Sequence, residues 1–145
     1  MIQAVEGMSG VAPASVLAVD DDPSILDLMT DILTGEGYRV IPATNGAEAL
    51  RVLDADRPCV VLLDMRMPTL DGWGFAAGMR DRGLRYPVVV VTAAENARAW
   101  AQEIGADAYL SKPFQLRDLL RIVERFCPPP PGRTGDPSDH ASAAY

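Results

Sequence analysis

Lysine is almost absent from this chain of 145 residues: there is one, Lys112, against twelve arginines. A strong preference for guanidinium elsewhere leaves two readings of position 112, a need for a compact ammonium or chance. Histidine occurs once, as His140 near the end of the chain. A histidine-based metal site or a Ser-His-Asp triad in the core is thereby excluded. Cysteine occurs twice, as Cys59 and Cys127, far apart and each beside proline. That is neither a disulfide framework nor a zinc spacing, and two reduced thiols are the expectation. No apolar run is long enough to span a bilayer, and the first residues lack a basic stretch followed by an apolar block. A soluble cytoplasmic protein, with no membrane contact, is expected.

Apolar residues make up 48% of the chain and charged residues 23%, as in an ordinary globular domain. The length suits one domain. The net charge of −7 argues against a nucleic-acid-binding surface and suits a protein that holds a cation.

Residues 1–14 show no periodicity and read as a loose leader. Short apolar runs then recur: Val16–Val19, Tyr38–Ile41, Val60–Leu63, Val88–Val91 and Ala108–Leu110. Such runs suit strands buried on both faces of a parallel sheet. Helical patterns fill the gaps. Ile25, Leu28, Met29, Ile32 and Leu33 have the spacing of one buried face, with Asp22 as N-cap, Pro23 in the first turn, and Gly35 and Gly37 as the stop. Further helices are expected around Ala47, Leu50 and Leu53; over Gly72–Arg80; over Asn96–Ile104, with Trp100 and Ile104 inward; and through Leu116, Leu119, Leu120 and Val123. Five alternations of strand and helix predict a doubly wound α/β fold with a five-stranded parallel sheet. The Pro128–Pro131 run ends the last helix, and residues 128–145 are expected to form a disordered, proline-rich tail.

In such sheets ligands bind at the carboxyl ends of the strands. The runs here end in Asp20 and Asp21, in Asp64, in Thr92 and, two residues past Leu110, in Lys112. Each could be a cap or a solvated loop residue. Together they make a site, because three clustered carboxylates repel and call for a cation. Oxygen ligands without histidine or cysteine favour magnesium, with manganese as the alternative.

The stretches Val16–Asp22, Leu62–Pro68, Asp71–Gly72, Val89–Ala94 and Gly105–Phe114 resemble the receiver domains of two-component response regulators, over about residues 15–127. The resemblance implies the CheY-like, flavodoxin-like (βα)5 fold with strand order 2-1-3-4-5. It implies Asp64 as phosphoacceptor. It implies Asp20, Asp21, Asp64 and the backbone carbonyl of Arg66 as the magnesium site. Thr92, Ala93 and Lys112 would hold the phosphoryl oxygens, the Lys112–Pro113 bond would be cis, and Thr92 with Tyr109 would form the switch. The phosphoryl donor would be a phosphohistidine on a sensor kinase or phosphotransfer protein. An unidentified downstream protein would bind the face of the fourth helix, fifth strand and fifth helix. The chain would catalyse only its own phosphorylation and dephosphorylation. One departure is that Thr92 and Lys112 are twenty residues apart, short for the family. Two other readings are a degenerate receiver used for docking or dimerisation, and an aspartate-based phosphatase. The phosphatase would need a second Asp where this chain has Arg66.

Overall fold

The computed structural model describes residues 14–128. The expected leader and proline-rich tail therefore lie almost wholly outside the described residues. The elements in chain order are β1 (Ser15–Val19), α1 (Pro23–Gly35), β2 (Arg39–Ala43), α2 (Gly46–Ala55) and β3 (Val60–Leu63). They continue with α3 (Gly72–Asp81), β4 (Val88–Ala93), α4 (Ala94–Ile104), β5 (Ala108–Lys112) and α5 (Leu116–Phe126). The strands form one parallel sheet in the order β2-β1-β3-β4-β5. Pro42 is accommodated because β2 is an edge strand, where a missing N–H costs little.

Alternation along the strands divides the core in two. Val16, Ala18, Leu62, Val89 and Val91 pack on one face against Leu26, Met29 and Leu33 of α1 and Leu119, Ile122 and Val123 of α5. Leu17, Val19, Val61, Leu63 and Val90 pack on the other against Leu50 and Leu53 of α2, Phe75 and Met79 of α3, and Ala101 of α4. The starts of α1, α2 and α3 are capped by short polar side chains: Asp22 accepts from the Ser24 amide, Asn45 from the Glu48 amide and Asp71 from the Gly74 amide.

Three details differ from the sequence expectation. In α1 the buried residues are Leu26, Met29 and Leu33, while Leu28 is 45% exposed. Most of the apolar positions of this helix could face a sheet, and packing against α5 and the sheet selects among them. Leu116, at the first turn of α5, is also exposed, and Ile122 joins the buried stripe instead. α4 starts at Ala94 rather than Asn96, directly after the last residue of β4. The short spacing from Thr92 to Lys112 thus leaves no loop between β4 and α4.

The expectation of two separate thiols is corrected. Cys59, just before β3, and Cys127, the C-cap of α5, are joined in a disulfide across 68 residues, with their Cα atoms 5.4 Å apart. Sequence spacing could not show that the start of β3 and the end of α5 meet at the same edge of the sheet. Among the described residues no helix is long and apolar enough to cross a membrane.

Candidate functional site

Strand register delivers the site. Val19 of β1 pairs with Leu63 of β3, so the next residues, Asp20 and Asp64, leave the sheet as neighbours. Their positions are pinned by the backbone: the Asp64 amide donates to the Val19 carbonyl at 2.9 Å and the Asp20 amide to the Ala43 carbonyl at 3.0 Å. Across the sheet, Thr92 stands opposite Ser111 and Ala93 opposite Lys112. Asp20, Asp64, Thr92, Ala93 and Lys112 therefore share the carboxyl edge of four adjacent strands. Asp21 follows at the exposed rim.

Among the described residues, the buried polar or charged side chains are Asp20, Asp64 and Thr92, at 1%, 7% and 5% exposure. Such groups persist inside a protein only when paired or hydrogen-bonded. The Lys112 ammonium meets this need. Its Nζ lies 2.6 Å from Asp20 Oδ2 and 3.6 Å from Asp64 Oδ1. Asp20 Oδ1 also accepts from the Asp22 amide, and Asp64 Oδ1 from the Met65 amide, both at 2.9 Å. Burial, reinforced by the nearby Asp20 charge, pushes the Asp64 carboxyl up to about 6, with Lys112 opposing.

One carboxylate oxygen from each of Asp20, Asp21 and Asp64 can be chosen so that all lie within 4.8 Å of one another. The donor set is all oxygen and carries more negative charge than one lysine neutralises, which fits a hard divalent cation. Arg66 follows in the loop after β3. That loop is held against α3, because the Gly72 amide donates to the Met65 carbonyl at 2.9 Å. A Cβ at position 72 would stand 2.8 Å from the Met65 Cα, so only glycine permits this approach. The Lys112–Pro113 peptide is cis. Tyr109 lies on β5, opposite Val90 of β4, and is 44% exposed.

Residues 16–124 match the model of the response regulator receiver domain. The chain belongs to the response regulator receiver family. This receiver is 40% identical over 110 residues to the response regulator MprA of Mycolicibacterium vanbaalenii, covering 74% of this chain and 48% of that protein. It is 36% identical over 111 residues to the alkaline phosphatase synthesis transcriptional regulatory protein PhoP of Bacillus subtilis, covering 75% of this chain and 46% of that protein. The chain thus spans about half the length of the curated relatives it matches. Among solved structures it resembles the receiver domain of the sensor histidine kinase PA1611 from Pseudomonas aeruginosa, which holds a magnesium ion in its active-site cleft. The TM-score is 0.72 at 32% identity, covering 79% of this chain and 98% of that one. Vibrio cholerae CheY4 matches with a TM-score of 0.71 at 32% identity, covering 79% of this chain and 99% of that one.

The sequence reading overlooked one arrangement beside the site. The Arg66 guanidinium carbon lies 5.0 Å from the centroid of the Trp100 ring, and Trp100 in turn meets Trp73 edge-to-face. The chain's two tryptophans, both in helices that flank the site, were the available signal.

Proposed function

We propose that this receiver accepts a phosphoryl group on Asp64 from a phosphohistidine of a sensor kinase or phosphotransfer protein, and so switches the binding of a downstream partner. The observation that supports it most is the buried Asp64 carboxylate set beside Asp20, Asp21 and the Lys112 ammonium. A module used only for docking has no need of that arrangement.

In the transfer, an Asp64 carboxylate oxygen attacks phosphorus, the donor's N–P bond breaks, and the imidazole leaves with the electron pair and takes up a proton. Asp20, Asp21 and Asp64, with the Arg66 carbonyl, would hold magnesium, which supplies positive charge against the oxygens of the transition state. Lys112 contributes a point charge to the same oxygens. Its ammonium already sits 3.6 Å from Asp64 Oδ1, so little reorganisation is needed. Thr92 and Ala93 offer a hydroxyl and a backbone amide at the same edge. Treatment with acetyl phosphate and magnesium is expected to add one phosphoryl group, read by intact mass. Labelling should vanish in Asp64→Asn and with excess chelator; an equally labelled Asp64→Asn protein rejects the assignment.

Output follows from population shift. A phosphoryl group on Asp64 draws the Thr92 hydroxyl toward it and opens the space behind Thr92, into which the exposed Tyr109 can turn. The face of α4, β5 and α5 then changes shape. It carries exposed Arg98, Arg117 and Arg121 on an acidic chain, which suits an acidic partner surface. With beryllofluoride bound as a phosphoryl mimic, amide NMR shifts are expected at Tyr109 and along α4. Shifts confined to the loops around Asp64 would remove the switch and leave the phosphoacceptor.

A further inference from the structure

Arg66 stands two residues after Asp64, next to the most concentrated negative charge among the described residues, yet its side chain makes no ion pair there. It lies over the Trp100 ring of α4, with its guanidinium carbon 5.0 Å from the centroid. That ring is braced. Trp73 of α3 meets it at a centroid distance of 4.9 Å and an interplanar angle of 68°. The Trp73 indole Nε1 donates to Glu103 Oε1 at 2.8 Å, one turn along α4 from Trp100. The loop after β3, α3 and α4 are thus linked through one cation and two rings. An aromatic face is a favourable station for a guanidinium, and the edge-to-face partner fixes its orientation.

A guanidinium tethered two residues from Asp64 has a second available station, over the carboxylates of Asp20, Asp21 and Asp64. There it would compete directly with a divalent cation for the same charge. We propose that Trp100, oriented by Trp73 and Glu103, is a positioning residue that holds the Arg66 guanidinium off the acidic cluster and so keeps that cluster open to magnesium. The inference rests on the reading of the cluster as a magnesium site. Arg66 then has two separate duties: its backbone carbonyl would help hold the cation, while its side chain is kept away from it.

The test is a magnesium titration of the whole chain, followed through the amide NMR shifts of residues 20–22 and 64–66 at low salt. Trp100→Ala releases the guanidinium and is expected to weaken magnesium binding by roughly threefold to tenfold, the size set by a unit charge brought within several ångströms of a doubly charged ion in a watery setting. Trp100→Phe keeps a ring face and should bind close to wild type. Arg66→Ala is an exposed truncation that leaves the backbone carbonyl in place and removes the competing cation. In the double variant Arg66→Ala/Trp100→Ala it should cancel the loss. Raising the salt should shrink the difference between Trp100→Ala and wild type. Equal affinity of wild type and Trp100→Ala overturns the proposal, and so does a double variant as weak as Trp100→Ala alone. If wild type itself shows no saturable magnesium shift, it is the magnesium site that fails.

Discussion

Replacing Lys112 with methionine is expected to destabilise the metal-free protein at pH 7.5 by about 3 kcal/mol, the scale for removing one partner of a buried ion pair. Asp20 is 1% exposed and has Lys112 Nζ at 2.6 Å. Without that ammonium, Asp20 and Asp64 are left as neighbours at the sheet edge, each accepting from one backbone amide. The Lys112 side chain itself is 23% exposed, which keeps the effect at the lower end of the range for full burial. Urea denaturation in chelator measures it, and a loss below about 1 kcal/mol, the size of an exposed pair, would show that the pair is solvated. Magnesium should restore part of the loss if, as proposed, it is held by the same carboxylates, which come together only in the folded state. Lys112→Arg separates the two readings of the chain's single lysine. A guanidinium keeps the charge but has a planar fork in place of a point donor. If arginine serves equally in stability and in acetyl phosphate labelling, the lone lysine is chance.

Much of this architecture is legible in the sequence, and the reasons are specific. The runs ending in Asp20, Asp64 and Thr92 are continuous because their strands are buried on both faces, and a polar residue at the end of such a run marks where the sheet meets its edge. Parallel register then brings these ends together with no further information. Facing was harder to read. Ile25, Leu26, Leu28, Met29, Ile32 and Leu33 are all apolar, and only contact with α5 and the sheet places Leu26 inward and Leu28 outward. The Cys59–Cys127 bond and the Arg66–Trp100 contact were illegible for a different reason. The first depends on where the end of α5 falls relative to the sheet and the second on how α4 packs beside the loop after β3, and spacing along the chain carries no trace of either. The start of α4 was misplaced because Ala93 and Ala94 carry no capping side chain to mark the boundary.

Asp64→Asn is expected to make the metal-free protein more stable at pH 7.5, by about 2–3 kcal/mol, while abolishing its phosphorylation. The Asp64 carboxyl is raised from 3.8 to about 6, first by burial and then by the Asp20 charge. A carboxyl whose folded value lies above its unfolded value binds its proton more tightly in the folded state. Its protonated form therefore supports folding below about pH 4, and that support is lost as pH rises through about 6. Above that point wild type holds a desolvated charge, whereas asparagine at position 64 has nothing to ionise and can still accept from the Met65 amide. The stability difference between the two proteins should accordingly be full at pH 7.5, shrink through pH 6 and vanish near pH 4, as read by chemical denaturation in chelator at each pH. Magnesium should narrow it at pH 7.5 by stabilising wild type more than the variant. A pH-independent difference would mean that asparagine acts through packing, and a destabilised variant would mean that the Asp64 charge contributes to the fold through Lys112 more than its burial costs. Either result would contradict a phosphoacceptor held at the expense of stability, the pattern expected where a reactive group is kept ready for chemistry.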